Sequence, residues 1–253
     1  MHDRLISVPL ADRMRYNVKG RKEGATMQTE AAMKKNFVYR SVFADIVRGK
    51  YTATSLITEK QLIDKYGISK SPVRDALVQL CADDIIESLP RIGYRVKPVS
   101  MKDIRDALIL RKMVERTSLE MAFSKIGEEQ LHTLQALYEE SQKEEFTQKD
   151  PYIHWELNAR FHITLCTFSG NRFFTRTLDN LMKTCFRGIT SYYEDAWKNG
   201  AAKDRSEWHK ILIDAIRSKD YQKARHALEM DLAELDTYFL KNDTVLSSSF
   251  IIS

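Results

Sequence analysis

Two helix signals stand almost end to end between residues 58 and 80, and no other feature of the chain limits its fold as tightly. Thr58 is a helix N-cap for the run Lys60-Gln61-Leu62-Ile63-Asp64-Lys65-Tyr66, and Gly67 is its stop. Ser69 caps the next helix, in which Val73, Ala76, Leu77 and Leu80 recur at i, i+3, i+4 and i+7. Upstream, Tyr39, Val42, Phe43, Ile46 and Val47 form a stripe of the same period that ends near Gly49. Downstream, residues 85–89 and 94–97 are extended runs flanking Pro90-Arg91-Ile92-Gly93, which predicts a hairpin with a basic tip. Three helices and a hairpin in about 60 residues predict a winged helix-turn-helix.

The third helix carries the chemistry. At 100° per residue, Lys70, Ser71 and Arg74 share one arc, away from the apolar one. With Ser69, that face offers two cations and two hydroxyls, which suit phosphates and guanine edges in a major groove. A lone Lys or Arg there reads as a solvated face; turn, helix and wing in the right order favour DNA reading. The charge is distributed accordingly: the first 98 residues sum to +7 and the remainder to −2.

From Ser100 to about Asn242 the chain reads as helices throughout, and only 9 Gly and 5 Pro leave little material for the turns of an all-β fold. Ser100 with Asp103 opens the first helix as a capping box, and Ile104, Leu108 and Arg111 share its stripe. Segments 127–147, 151–168, 172–198, 203–218 and 220–241 complete a six-helix bundle, the kind of scaffold that holds small ligands between facing helices. Polar residues interrupt three of its apolar stripes. Asn158 and His162 lie one turn apart beside Trp155 and Leu165. His209 shares a face with Leu212, Ile213 and Ile216, and Asp231 stands between Leu228 and Leu235. One such residue is ordinarily a hydrogen-bonded core polar group, whereas several together favour a shared polar site. His132, His154 and His226 lack such company and read as surface or boundary residues.

The expected fold is mainly α: a winged helix-turn-helix over 37–98 and an all-α bundle over 99–242, with a flexible extension at 1–36 and a loose tail at 243–253. No apolar run reaches the roughly 18 residues of a membrane span. The opening residues have no signal-peptide core. Cys81, Cys166 and Cys185 show neither zinc nor disulfide spacing, so a cytoplasmic location and no membrane partner are expected.

The run Leu56-Ile57-Thr58-Glu59-Lys60-Gln61-Leu62, continued by Tyr66-Gly67-Ile68-Ser69-Lys70-Ser71-Pro72-Val73-Arg74-Asp75-Ala76-Leu77 and by Arg91-Ile92-Gly93, resembles the GntR family of bacterial transcription regulators. The resemblance implies that Lys60, Ser69, Lys70, Ser71 and Arg74 touch DNA, with Arg91 and Gly93 at the wing. Lys70 stands where the family usually has Arg, and a Lys cannot make the bidentate fork to guanine. Asp84 replaces the Gly that usually ends the helix.

Asn158-Ala159-Arg160-Phe161-His162, followed by Ser169-Gly170-Asn171 and by His209-Lys210-Ile211-Leu212-Ile213-Asp214-Ala215-Ile216, resembles the FCD effector domain of the FadR-type branch. Many members hold a divalent metal with one Asp and three His. By the same resemblance, Asn158, His162, His209 and Asp231 would hold one Zn, Ni or Mn ion, with the carboxylate moved to another helix. The resemblance also implies a homodimer on a palindromic double-stranded operator. It would be a repressor answering to a small, carboxylate-containing effector. Arg111 is the candidate partner for the effector's anionic end, and a buried pair with Glu115 is the alternative. The competing class is a metal-dependent bundle enzyme on a nucleic-acid tether, for which the chain offers one ExxH, Glu129 to His132, and no GxSxG, HExxH, P-loop or GxGxxG.

Overall fold

A computed structural model describes residues 27–143, 151–198 and 206–246, and the chain divides after Pro98 into two compact units. The first unit runs α1 (Met27–Val47), β1 (Leu56–Ile57), α2 (Glu59–Tyr66), α3 (Lys70–Ala82), β2 (Ile86–Leu89) and β3 (Gly93–Val96). Val38, Val42 and Ile46 of α1 are buried, as are Leu62 of α2 and Val73, Ala76, Leu77 and Leu80 of α3, so the helical periods mark the core. Thr58 and Gln61 form a full capping box, and Gly67 closes α2 with φ 64°. Asp84 adopts φ 58°, the left-handed conformation that an Asp in a Gly position must take. Buried Asp45 accepts from Lys50 at 2.9 Å and from Lys65 at 2.6 Å, locking the end of α1 to α2.

Two elements depart from the sequence expectation. Helix α1 begins at Met27, twelve residues before Tyr39 opens its apolar stripe and inside the stretch read as an extension. Glu30, Ala31, Ala32, Met33 and Lys34 are exposed, so there is no core face to give a period. Good helix formers and a Glu30–Lys34 pair at 2.6 Å carry the helix there. The hairpin is also the larger part of a three-stranded antiparallel sheet, ordered β1-β3-β2. Strand β1 is two residues long, too short to show alternation.

Gly93 sits where β3 crosses β1. It has φ 146°, and a Cβ built on it would meet the Ile57 carbonyl oxygen at 2.5 Å. Gly93→Ala is therefore expected to destabilise the winged unit by about 1–3 kcal/mol. Denaturant unfolding of the full-length protein, followed by circular dichroism, checks this.

The second unit comprises α4 (Met101–Ala122), a 3-10 turn (Phe123–Lys125), α5 (Glu128–Ser141), α6 (Pro151–Thr167), α7 (Arg172–Lys198), α8 (Ser206–Arg217) and α9 (Tyr221–Leu246). Ser100 and Asp103 form the expected capping box on α4. Ser169-Gly170-Asn171 ends α6 and starts α7: Gly170 takes φ 74°, and Asn171 Oδ1 accepts from the Phe173 and Phe174 amides. Leu119, Leu134, Phe161, Leu165, Leu212, Ile216 and Leu228 form the centre of the core. Helix α9 runs to Leu246, past the boundary read from the sequence, because no Gly or Pro stops a helix already under way. Residues 247–253, the rest of the expected tail, lie outside the described residues, as does the part of the expected extension before Met27.

Candidate nucleic-acid interface and buried polar site

In the winged unit, α3 turns Val73, Ala76 and Leu77 inward, which forces Lys70, Ser71 and Arg74 outward. The Lys70 and Arg74 side chains are 72% and 66% exposed. Lys60, Ser69 and Arg91 are also exposed, and the Ser69 side chain makes no capping hydrogen bond. Arg91, in the β2–β3 turn, has φ 65°, and its neighbour Ile92 is 61% exposed at the wing tip. Gly93 is half-buried, and its fixed role is the β1–β3 approach described above. Arg95, which the sequence reading did not select, is taken up by Glu87 at 2.6 and 2.8 Å. Glu59 was not anticipated: its carboxylate lies 3.9 Å from Lys70 Nζ and 4.0 Å from Arg74 Nε. Its place as the first residue after the Thr58 cap was the available signal, since an acidic side chain is favoured in a helix's first turn.

In the helical unit, three of the four polar residues read as a group come together. His162 on α6, His209 on α8 and Asp231 on α9 are all buried. His162 Nε2 is 2.9 Å from Asp231 Oδ2 and 3.2 Å from His209 Nε2, and the remaining edge, His209 Nε2 to Asp231 Oδ2, is 3.8 Å. Phe161 stacks on the His209 ring at 3.9 Å and holds its plane. Asn158 is half-buried one turn before His162, and no hydrogen bond ties it to these three among the described residues. His132, Glu129 and His226 are exposed, and the His154 side chain lies outside the described residues.

Glu115 completes the group. It lies on the stripe of Ile104, Leu108, Arg111 and Leu119, so its periodicity marked it as inward-facing even though charge alone suggested only a partner for Arg111. Its Oε1 accepts from Arg111 Nε at 2.5 Å, and its Oε2 faces His162 Nδ1 at 2.6 Å. Arg111 is 1% exposed, yet neither Nη1 nor Nη2 has a partner among the described residues. The pair offered as the alternative reading of Arg111 thus forms, and it uses one guanidinium nitrogen of three. Cys185 on α7 is buried beside Arg111, and burial pushes its thiol up to about 11. Cys166 shares a 3.1 Å hydrogen bond with Ser118, and all three cysteines are free thiols.

The electrostatics follow from this layout. Burial disfavours charge on His162, but Glu115 and Asp231 outweigh it and push the imidazole up to about 9. His209 has less carboxylate contact, and burial pulls it down to about 4, leaving it neutral. Burial would raise the Asp231 carboxyl, but His162 and His209 hold it well below the carboxylate range.

Two imidazole nitrogens and one carboxylate oxygen, 2.9–3.8 Å apart, fit donors about 2.0–2.2 Å from a shared point. Glu115 behind His162 supplies the carboxylate that commonly orients a metal-binding imidazole. The donor set therefore fits a divalent ion. When bound, such an ion would supply an electrophilic centre with positions open to a ligand's carboxylate or hydroxyl oxygen.

A winged helix-turn-helix followed by an all-α bundle with a buried polar site is the build of a DNA-binding transcription regulator. Residues 34–96 match the model of the bacterial regulatory proteins of the gntR family, and residues 106–234 match the FCD domain. The chain belongs to the GntR family and carries an FCD domain. Among its relatives, the HTH-type transcriptional repressor RspR of Escherichia coli is 28% identical over 199 residues, covering 78% of this chain and 85% of that one. The repressor GlaR, also of E. coli, is 22% identical over 203 residues, covering 77% and 90%. The solved structure of E. coli McbR/YncC has the same fold, with a TM-score of 0.67 at 19% identity, covering 83% and 98%. A transcriptional regulator from Rhodococcus gives 0.63 at 17% identity, covering 83% and 98%. The family is one of regulators, and the enzyme reading is not favoured. Among the described residues no helix is long and apolar enough to cross a membrane.

Proposed function

We propose that the chain is a repressor that binds a palindromic operator as a homodimer and is released by a small carboxylate-bearing metabolite. In this reading residues 37–98 read DNA through Lys60, Ser69, Lys70, Ser71 and Arg74, with Arg91 and Gly93 at the wing. Residues 99–242 hold the effector and the partner subunit. His162, His209 and Asp231 hold a Zn, Ni or Mn ion, with Asn158 an additional, weaker oxygen ligand. The observation that carries the effector assignment is the buried guanidinium of Arg111 with two unpartnered nitrogens, in the same cluster as the ion donors. A buried, unsatisfied cation is costly, and an anionic ligand removes that cost.

The direct test has two stages. The wild-type chain selects its operator from a random DNA pool, and gel shifts on that operator are then repeated with sugar acids, carboxylic acids and amino acids. Release by an acid, but not by its amide, is the expected result. Release by neutral sugars alone would remove Arg111 from the effector site.

Self-association is supported by the exposed apolar residues Ile109, Leu110, Met113 and Met121 on α4, of which Ile109 and Met113 are each 60% exposed. Met113→Glu is expected to shift the protein toward monomer in sedimentation velocity and to weaken operator binding together with it, since each subunit reads one half-site.

A further inference from the structure

We propose that Glu115 is a positioning residue that couples the two halves of the buried site, so that an anion at Arg111 tightens ion binding at His162, His209 and Asp231. The proposal rests on the ion-site reading above. Its basis is that both carboxylate oxygens are committed, and to different halves. Oε1 accepts from Arg111 Nε at 2.5 Å, and Oε2 faces His162 Nδ1 at 2.6 Å. Arg111, Glu115 and His162 are exposed by 1%, 3% and 1%, so water does not screen the chain of contacts.

One carboxylate serving two donors divides its charge between them. Drawn toward the guanidinium, it is a poorer acceptor for Nδ1–H, and the imidazole is a weaker donor at Nε2. An anion bound at Arg111 Nη1 and Nη2 offsets the guanidinium charge and releases Glu115 toward His162. The Nδ1–H···Oε2 bond then strengthens and holds the ring with Nε2 facing His209 and Asp231. By linkage the ion tightens anion binding by the same factor. Asn158 lends weight to this design. With a neutral amide at this position and Asp231 the one carboxylate among the donors named, ion binding is left more dependent on the quality of the His162 donor.

Ni²⁺ titration calorimetry on the full-length protein tests the coupling without any knowledge of the effector. Four proteins are compared: wild type, Arg111→Gln, Glu115→Gln and the double variant. Glu115→Gln is expected to weaken Ni²⁺ binding by about 10- to 100-fold. Arg111→Gln, which imitates neutralisation of the guanidinium, is expected to strengthen it by about 5-fold or more. In the Glu115→Gln background that gain is expected to shrink to within about twofold. A merely structural role for Glu115 would make both single variants weaken Ni²⁺ binding alike. An equal gain from Arg111→Gln in both backgrounds means that the guanidinium acts directly through space, which overturns the coupling. Wild type binding Ni²⁺ with no change in Glu115→Gln overturns it as well and leaves the ion site standing. Wild type failing to bind Ni²⁺ removes the ion site and the coupling together. Should Arg111→Gln not fold by circular dichroism, Arg111→Met, which is likewise uncharged and of similar length, replaces it, and the same sign is expected because the cation that faces Glu115 is removed.

Discussion

Arg74→Ala is expected to abolish specific operator binding while the protein stays folded and dimeric. The Arg74 side chain is 66% exposed, and its ion pair among the described residues, to Glu59, spans 4.0 Å. Such a surface pair is worth about 0–1 kcal/mol, so stability should hardly move. On DNA the same guanidinium can make two parallel hydrogen bonds to one guanine, worth about 1–3 kcal/mol of discrimination. In the homodimer proposed above the loss falls in both half-sites, so the operator should become no better a ligand than random DNA. Lys70→Ala removes a point charge, not a fork. It is expected to cost less and to act on all sequences alike, lowering the salt slope by about one unit per half-site. Gel-shift titrations at two salt concentrations, against the selected operator and scrambled DNA, separate the two effects. An Arg74→Ala protein that keeps its preference for the operator would remove α3 from the role of reader.

The sequence made the winged unit legible because each element announces itself locally. Thr58, Gly67 and the Val73–Leu80 stripe act through contacts of one to four residues, and those contacts are written in the order of the chain. Strand β1 and the start of α1 were not legible, for opposite reasons. Leu56–Ile57 becomes a strand only because β3 arrives nearly forty residues later to pair with it, with Ile57 opposite Tyr94. Residues 30–36 are helical with no buried side chain among them, so they carry no period to read.

In the helical unit, stripe-breaking polar residues indicated the right three helices, since a His or Asp among leucines must satisfy its polar atoms somewhere. The sequence did not show how those helices pack, and two outcomes depended on that. The sequence offered Glu115 only as an alternative i+4 partner for Arg111, yet its second oxygen reaches His162, 47 positions away. Asn158 shares a helix face with His162 in projection but stands half-buried, because a helical wheel gives direction and not depth.

His162→Ala is expected to separate the two units functionally, keeping operator binding and losing both ion binding and effector release. His162 holds Glu115 at Nδ1 and Asp231 at Nε2. Its deletion leaves two buried carboxylates without the cation that balances them, and only Glu115 retains Arg111. Breaking a buried ion pair by removing one partner costs about 3–5 kcal/mol. At about 2–4 °C per kcal/mol for a unit of this size, the helical unit should melt roughly 6–20 °C lower. His162→Gln offers a polar amide in place of the ring and is expected to recover part of that loss without restoring an Nε2 donor. Stability and ion binding are thereby separated. Melting curves of the full-length variants with and without Ni²⁺ read both quantities, since an ion bound only to the native state raises the transition in proportion to its affinity. If His162→Gln recovers the stability and also keeps the Ni²⁺-dependent rise, the imidazole is not an ion ligand. If His162→Ala is still released from the operator by the effector, the buried cluster is not the sensor, and Arg111 must meet its anion without it.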